Sequence, residues 1–85
     1  MNISKHEQRV LHELALGGQI KFMRAANGKV KSVQCFTREG FVFPACTLEV
    51  FTRLKEKRFI KSIKGDPYRI TRVGNKSVRA QMHQR

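Results

Sequence analysis

Proton transfer in this chain could fall to His6, His12 and His83, to the single tyrosine Tyr68, to six carboxylates, or to the thiols Cys35 and Cys46. The carboxylates are scattered too widely to form an evident acid-base pair, and no GxSxG, P-loop, HExxH or GxGxxG spacing occurs. The cysteines stand eleven positions apart without a CxxC, far from every histidine, so the closely spaced ligand pairs of a zinc centre are missing. No metal and no cofactor is expected, and the thiols read as buried and reduced. RNA cleavage can be managed with Arg, Lys, Tyr or His alone, which leaves His12, Arg53 and Tyr68 open to it. His12 sits among structural helix positions, however, and Tyr68, which could stack on an exposed base, reads better as a hydrophobic anchor entering a strand. The expectation is a protein that is not an enzyme.

What the residue types do favour is binding to negative charge. Eighteen Lys and Arg oppose six Asp and Glu, a formal net charge of +12. The excess is uneven, with seven basic against three acidic residues in 1–43 and eleven against three in 44–85. Arg53, Lys55, Lys57, Arg58, Lys61 and Lys64 fall within twelve residues, opposed only by Glu56, and Arg69 and Arg72 extend the run. Side chains at this density neutralise phosphates and release counterions, or meet an acidic protein surface. They identify charge and not sequence readout.

At 85 residues there is material for one domain spanning 1–85, with a thin core and little room for an enclosed substrate cavity. Hydrophobic residues at 40%, including six Phe read as core, argue for folding despite the charge. No run approaches the ~18 apolar residues of a membrane span, and the first residues lack the order of a signal peptide, so a cytoplasmic protein is expected.

The elements that must position the cations follow from periodicity. Ser4 and Glu7 form a capping box, followed by Val10, Leu11, Leu14 and Ala15 at helical spacing until Gly17-Gly18 ends the helix. Alternation from Gln19 and the pair Asn27-Gly28, suited to a type I′ turn, predict a hairpin over 19–36. Arg38-Glu39-Gly40 turns the chain into a short strand at 41–43, stopped by Pro44. Thr47 caps a second helix with Leu48, Phe51 and Leu54 on one stripe and Val50 beside it, ending near Lys57. A basic hairpin follows, with a turn at Gly65-Asp66-Pro67 and closure over Thr71 to Gly74. Residues 75–85 form a weakly structured tail or short helix anchored by Val78, Ala80 and Met82. A helix leading into a charged hairpin is the order of a winged helix, with the first hairpin where a middle helix usually stands, so the expected fold is α+β and winged-helix-like.

The stretches EQR at 7–9, LHELALGG at 11–18, CFTREG at 35–40, CTLEVFTRLK at 46–55, IKSIKG at 60–65, PYRI at 67–70 and VRAQ at 78–81 closely resemble the YjhX toxin family of small bacterial proteins. The similarity runs from Met1 to about Gln81. It implies a toxin of a toxin-antitoxin pair that binds and inhibits DNA topoisomerase I, opposed by a cognate antitoxin. It supplies no catalytic motif to carry over. The residues alone leave a winged-helix-like DNA-binding protein acting on its own operon as the alternative, and an RNA-cleaving toxin after it.

Overall fold

Helix α1 (Lys5–Ala15) opens on the expected capping box: the Ser4 N-H donates to Glu7 Oε2 at 2.9 Å and the Glu7 N-H to Ser4 Oγ at 3.2 Å. Its inward stripe is Glu7, Val10, Leu11 and Leu14, at i, i+3, i+4 and i+7. Ala15 is exposed and Glu7 takes the inward place, a carboxylate where periodicity alone looks for an apolar residue. The computed structural model describes residues 3–65 and 67–83.

Strands β1 (Gln19–Arg24) and β2 (Val30–Phe36) form the first hairpin. Its turn differs from expectation, because only Gly28 has a positive φ, of 85°, and Asn27 does not. The Gly28 N-H donates to the Ala25 carbonyl and the Ala25 N-H to that of Lys29, a three-residue loop of a type I turn closed by a left-handed glycine. Asn27 contributes through its side chain, whose Oδ1 accepts from the Lys29 N-H. Strand β3 (Val42–Phe43) pairs with the end of β2, Cys35 opposite Phe43 and Phe36 opposite Val42.

Helix α2 (Leu48–Glu56) is capped by Thr47, whose Oγ1 accepts from the Val50 N-H at 3.2 Å. It buries Val50, Phe51 and Leu54, whereas Leu48 is exposed. Strands β4 (Ile60–Lys61) and β5 (Arg69–Ile70) make the second hairpin, and α3 (Arg72–His83) takes the helical alternative for the C-terminal segment. Of the expected turn at Gly65-Asp66-Pro67, Asp66 lies outside the described residues, as do residues 84 and 85 and the side chains of Ala80 and Met82. The two consecutive left-handed residues are Lys64 and Gly65. Thr71 does not merely close the hairpin: its N-H donates to the Phe59 carbonyl, and its Oγ1 accepts from the Gly74 N-H, so it also caps α3.

The expected α+β class therefore takes the form of three helices and two small antiparallel sheets. Ile20 and Tyr68 exchange both backbone hydrogen bonds, at 2.9 and 2.8 Å, and this bridge sets the strands side by side in the order β4-β5-β1-β2-β3. Inward residues Ile20, Cys35, Ile60 and Tyr68 meet Leu11, Leu14, Phe51 and Leu54 of the helices. Tyr68 packs edge-on against Phe51 and Phe22, with ring centroids at 4.8 and 5.3 Å, geometry worth about 0.5–1.5 kcal/mol per pair beyond area burial. The six Phe are not all core. Phe51 and Phe59 are buried, Phe22 and Phe43 pack against the core, Phe36 is half-buried, and Phe41 is 72% exposed. Phe41 precedes a strand of only two residues, and of the pair Val42–Phe43 only Phe43 packs against the core.

Candidate partner-binding surface

The predicted cations occupy α2, the segment that leaves it and the β4–β5 hairpin. Helix α2 ends in a motif with the Arg58 N-H on the Lys55 carbonyl and the Phe59 N-H on that of Leu54, both at 3.0 Å. The motif places Arg58 in the left-handed region, φ 61°, where glycine is usual, and buries Phe59 in the same cluster as Leu54. Lys64 also has a positive φ, 55°, and these two are the described non-glycine residues that do. Both are exposed cations of the predicted set. A left-handed non-glycine residue costs about 1–3 kcal/mol, so the backbone holds these two side chains outward against its own preference.

The remaining members differ in what they touch. Arg53 bridges Glu49 one turn back at 2.6 Å, an exposed pair of small energetic weight. Lys57 donates to Glu7 Oε1 at 2.6 Å and is half-buried, so its charge is committed to an internal carboxylate. Lys61 and Arg69 are both exposed and lie directly opposite each other across β4 and β5. Like charges in that position destabilise a sheet, and a bound anion would relieve them. Arg69 Nη2 also donates to Gln19 Oε1 at 3.2 Å.

Lys55 is joined by two residues the sequence reading passed over. Arg24 and Lys29, from the tip of the β1–β2 hairpin, line with Lys55, Thr52 and Leu48 of α2 a groove of about 370 Å³ that no carboxylate lines among the described residues. Arg24 is braced there by its hydrogen bond to the Gly28 carbonyl at 2.8 Å and lies over the Phe22 ring. Lys55 sits more than twenty positions from Arg24 and Lys29, and nothing in either segment alone indicates that the hairpin tip faces α2.

The side chains open to RNA cleavage are not brought around one groove. Tyr68 is a buried core residue, Arg53 lies in the last turn of α2 beside a different groove, and exposed His12 lines an apolar groove of about 420 Å³ with Leu11, Phe43 and Val78. That groove lies between α1, β3 and α3, three elements whose contact no local pattern records. Burial pushes the Cys35 thiol up to about 12, aided by Cys46 and Glu13, and burial pushes Cys46 to about 11, so neither offers much thiolate at neutral pH. Among the described residues no three His, Cys, Asp or Glu side chains group as metal ligands, and no helix is long and apolar enough to cross a membrane.

A family model described as "Putative toxin of bacterial toxin-antitoxin pair" matches residues 1–85. Similar curated relatives are UPF0386 proteins of Beijerinckia indica, 55% identical, and of a Ruegeria strain and Aliivibrio fischeri, each 53% identical, all aligned over 85 residues that cover the whole of both chains. No solved structure matches the chain.

Proposed function

The chain belongs to the YjhX toxin family, and on that premise we propose that it arrests bacterial growth by binding DNA topoisomerase I and blocking its activity until an antitoxin removes it. The observation that carries this reading is a family match over the full chain, residues 1–85. The target itself rests on the resemblance of the stretches quoted above to that family. The surface of α2 and the β4–β5 hairpin supports a binding mode: Lys55, Arg58, Lys61 and Lys64 are exposed, and Arg24 and Lys29 widen the cationic face. Such charges set encounter rate and specificity, and exposed apolar residues beside them, Leu48 and Ile63, supply anchors. Inhibition proceeds by occupancy and not by catalysis.

The test is capture of purified topoisomerase I by the purified chain in moderate salt, with relaxation of supercoiled plasmid read in parallel. A complex and slowed relaxation are expected. Absence of both overturns the reading.

Direct binding of duplex DNA is a second reading, favoured by the groove that sets Arg24 and Lys29 against Lys55 and by the α2-to-hairpin order of a winged helix. Gel shifts across a salt series decide it. An operon regulator retains tight binding to one sequence over competitor, whereas a bare basic face binds every sequence at about 10⁻⁴ to 10⁻⁶ M.

A further inference from the structure

The sheet has a second face, turned away from the helices, and its chemistry is distinct from that of α2. The bridge between Ile20 and Tyr68 puts Gln19 beside Arg69, and strand pairing then aligns Lys61, Arg69, Gln19, Phe36 and Val42 in one row across five strands. Their strand neighbours Ile60, Ile70, Ile20, Cys35 and Phe43 belong to or pack against the core, so the row itself points outward. Lys21, one step along β1 on the same outer face, lies over the Phe36 ring at 5.1 Å. Arg38 arches in from the β2–β3 turn with its aliphatic stem against Gly17.

Lys21, Arg38 and Arg69, with Gln19 and Thr37, line a predominantly polar groove of about 250 Å³ beside Phe36. Among the described residues no carboxylate lines it; Glu39, on the same turn as Arg38, does not reach into it. Three cations from three different elements therefore converge on one concavity, and the directly opposed pair Lys61 and Arg69 borders it. Strands and a short hairpin hold them, so little ordering is left for a ligand to impose.

We infer that this outer sheet face binds the backbone of single-stranded nucleic acid, a phosphate seated between Lys21, Arg38 and Arg69 and the adjoining base against Phe36. The groove has room for about one nucleotide and not for the flank of a duplex. A half-buried aromatic among cations is the combination that holds single strands without reading sequence, whereas an acidic peptide would have no use for the ring. The site lies apart from α2, whose cationic face is left to the protein target.

Fluorescence anisotropy with labelled oligothymidylate of about 15 nucleotides, in a salt series from about 50 mM, tests it, with duplex of the same length and a polyglutamate competitor as further arms. Lys21→Gln with Arg38→Gln is expected to weaken oligothymidylate binding about tenfold and to flatten the salt slope by about 0.7, the share of one single-strand phosphate contact. The matched pair Lys5→Gln with Lys76→Gln, exposed on α1 and α3, should cost under about twofold. Amide shifts of the unaltered protein on titration should centre on Thr37 to Gly40 and Arg69, a readout that needs no variant. No binding, equal loss in both double variants, polyglutamate displacing the oligonucleotide at equal charge, duplex binding more tightly, or shifts confined to α2 would each overturn the inference.

Discussion

Lys57 and Glu7, fifty positions apart in sequence, are joined by a 2.6 Å ion pair whose carboxylate is 2% exposed. One side chain thus performs two tasks. Glu7 closes the capping box of α1 on Ser4 and ties the end of α2 to the first turn of α1. The pair accounts for the single charge in the described core and removes Lys57 from the cations that face a partner.

Glu7→Gln keeps a group able to accept from the Ser4 N-H but removes the charge opposite Lys57. Breaking one side of a largely buried pair leaves the other uncompensated, and a loss of about 3 kcal/mol in unfolding free energy is expected. Urea denaturation followed by circular dichroism measures it. A midpoint equal to that of the unaltered protein would mean that the pair is spent in water.

Burial pulls the Glu7 carboxyl upward, but hydrogen bonds from Lys57 and Ser4 and the Lys57 charge outweigh it, and its pKa stands below the ordinary 4.5. A depressed carboxyl stabilises the fold above its unfolded value and loses that contribution as pH falls through the folded one. Stability should therefore decline below about pH 4.5 more steeply in the unaltered protein than in Glu7→Gln. Parallel curves for the two proteins would exclude Glu7 as the source.

Arg58→Gly relieves a left-handed residue at the end of α2 and should raise stability by about 0.5–1 kcal/mol, the strain removed less the added freedom of the unfolded chain. The same change should weaken capture of the protein target, and more so at low salt, because screening already attenuates exposed charge. Thermal melting and capture across a salt series read the two effects. Lower stability together with unchanged capture would remove Arg58 from the binding face.

Gly74→Ala separates helix propensity from packing. In an exposed helix the change stabilises by up to about 1 kcal/mol. Here a Cβ would lie 2.5 Å from the Phe59 carbonyl oxygen and 2.8 Å from Ile70 Cγ1, so α3 must shift, and a loss of about 1–3 kcal/mol is expected. The sign of the change in urea midpoint is the test.

Features spanning a few residues were legible without a fold. The Ser4–Glu7 box, the Thr47 cap, the hairpin over 19–36 and the inward alternation of Ile20 and Phe22 depend on neighbours whose geometry the chain itself fixes. The turn at Asn27-Gly28 was placed correctly but its type was not, because loop length and closing hydrogen bonds, not the dipeptide, decide where a positive φ falls. Gly74 read as the end of the segment that closes the second hairpin and is a point of close approach within α3, which only the position of Phe59 reveals.

Composition likewise determined that this protein carries a large positive charge, most of it in its second half, because side-chain ionisation at neutral pH needs no structure. Which cations act together was decided by the tertiary structure alone. One backbone bridge between Ile20 and Tyr68 orders the five strands, brings Arg69 to Gln19, and so gathers Lys21, Arg38 and Arg69 around one groove. Contacts of this kind close loops of about fifty residues, whose entropy is offset only when the whole core forms, and no local period records them.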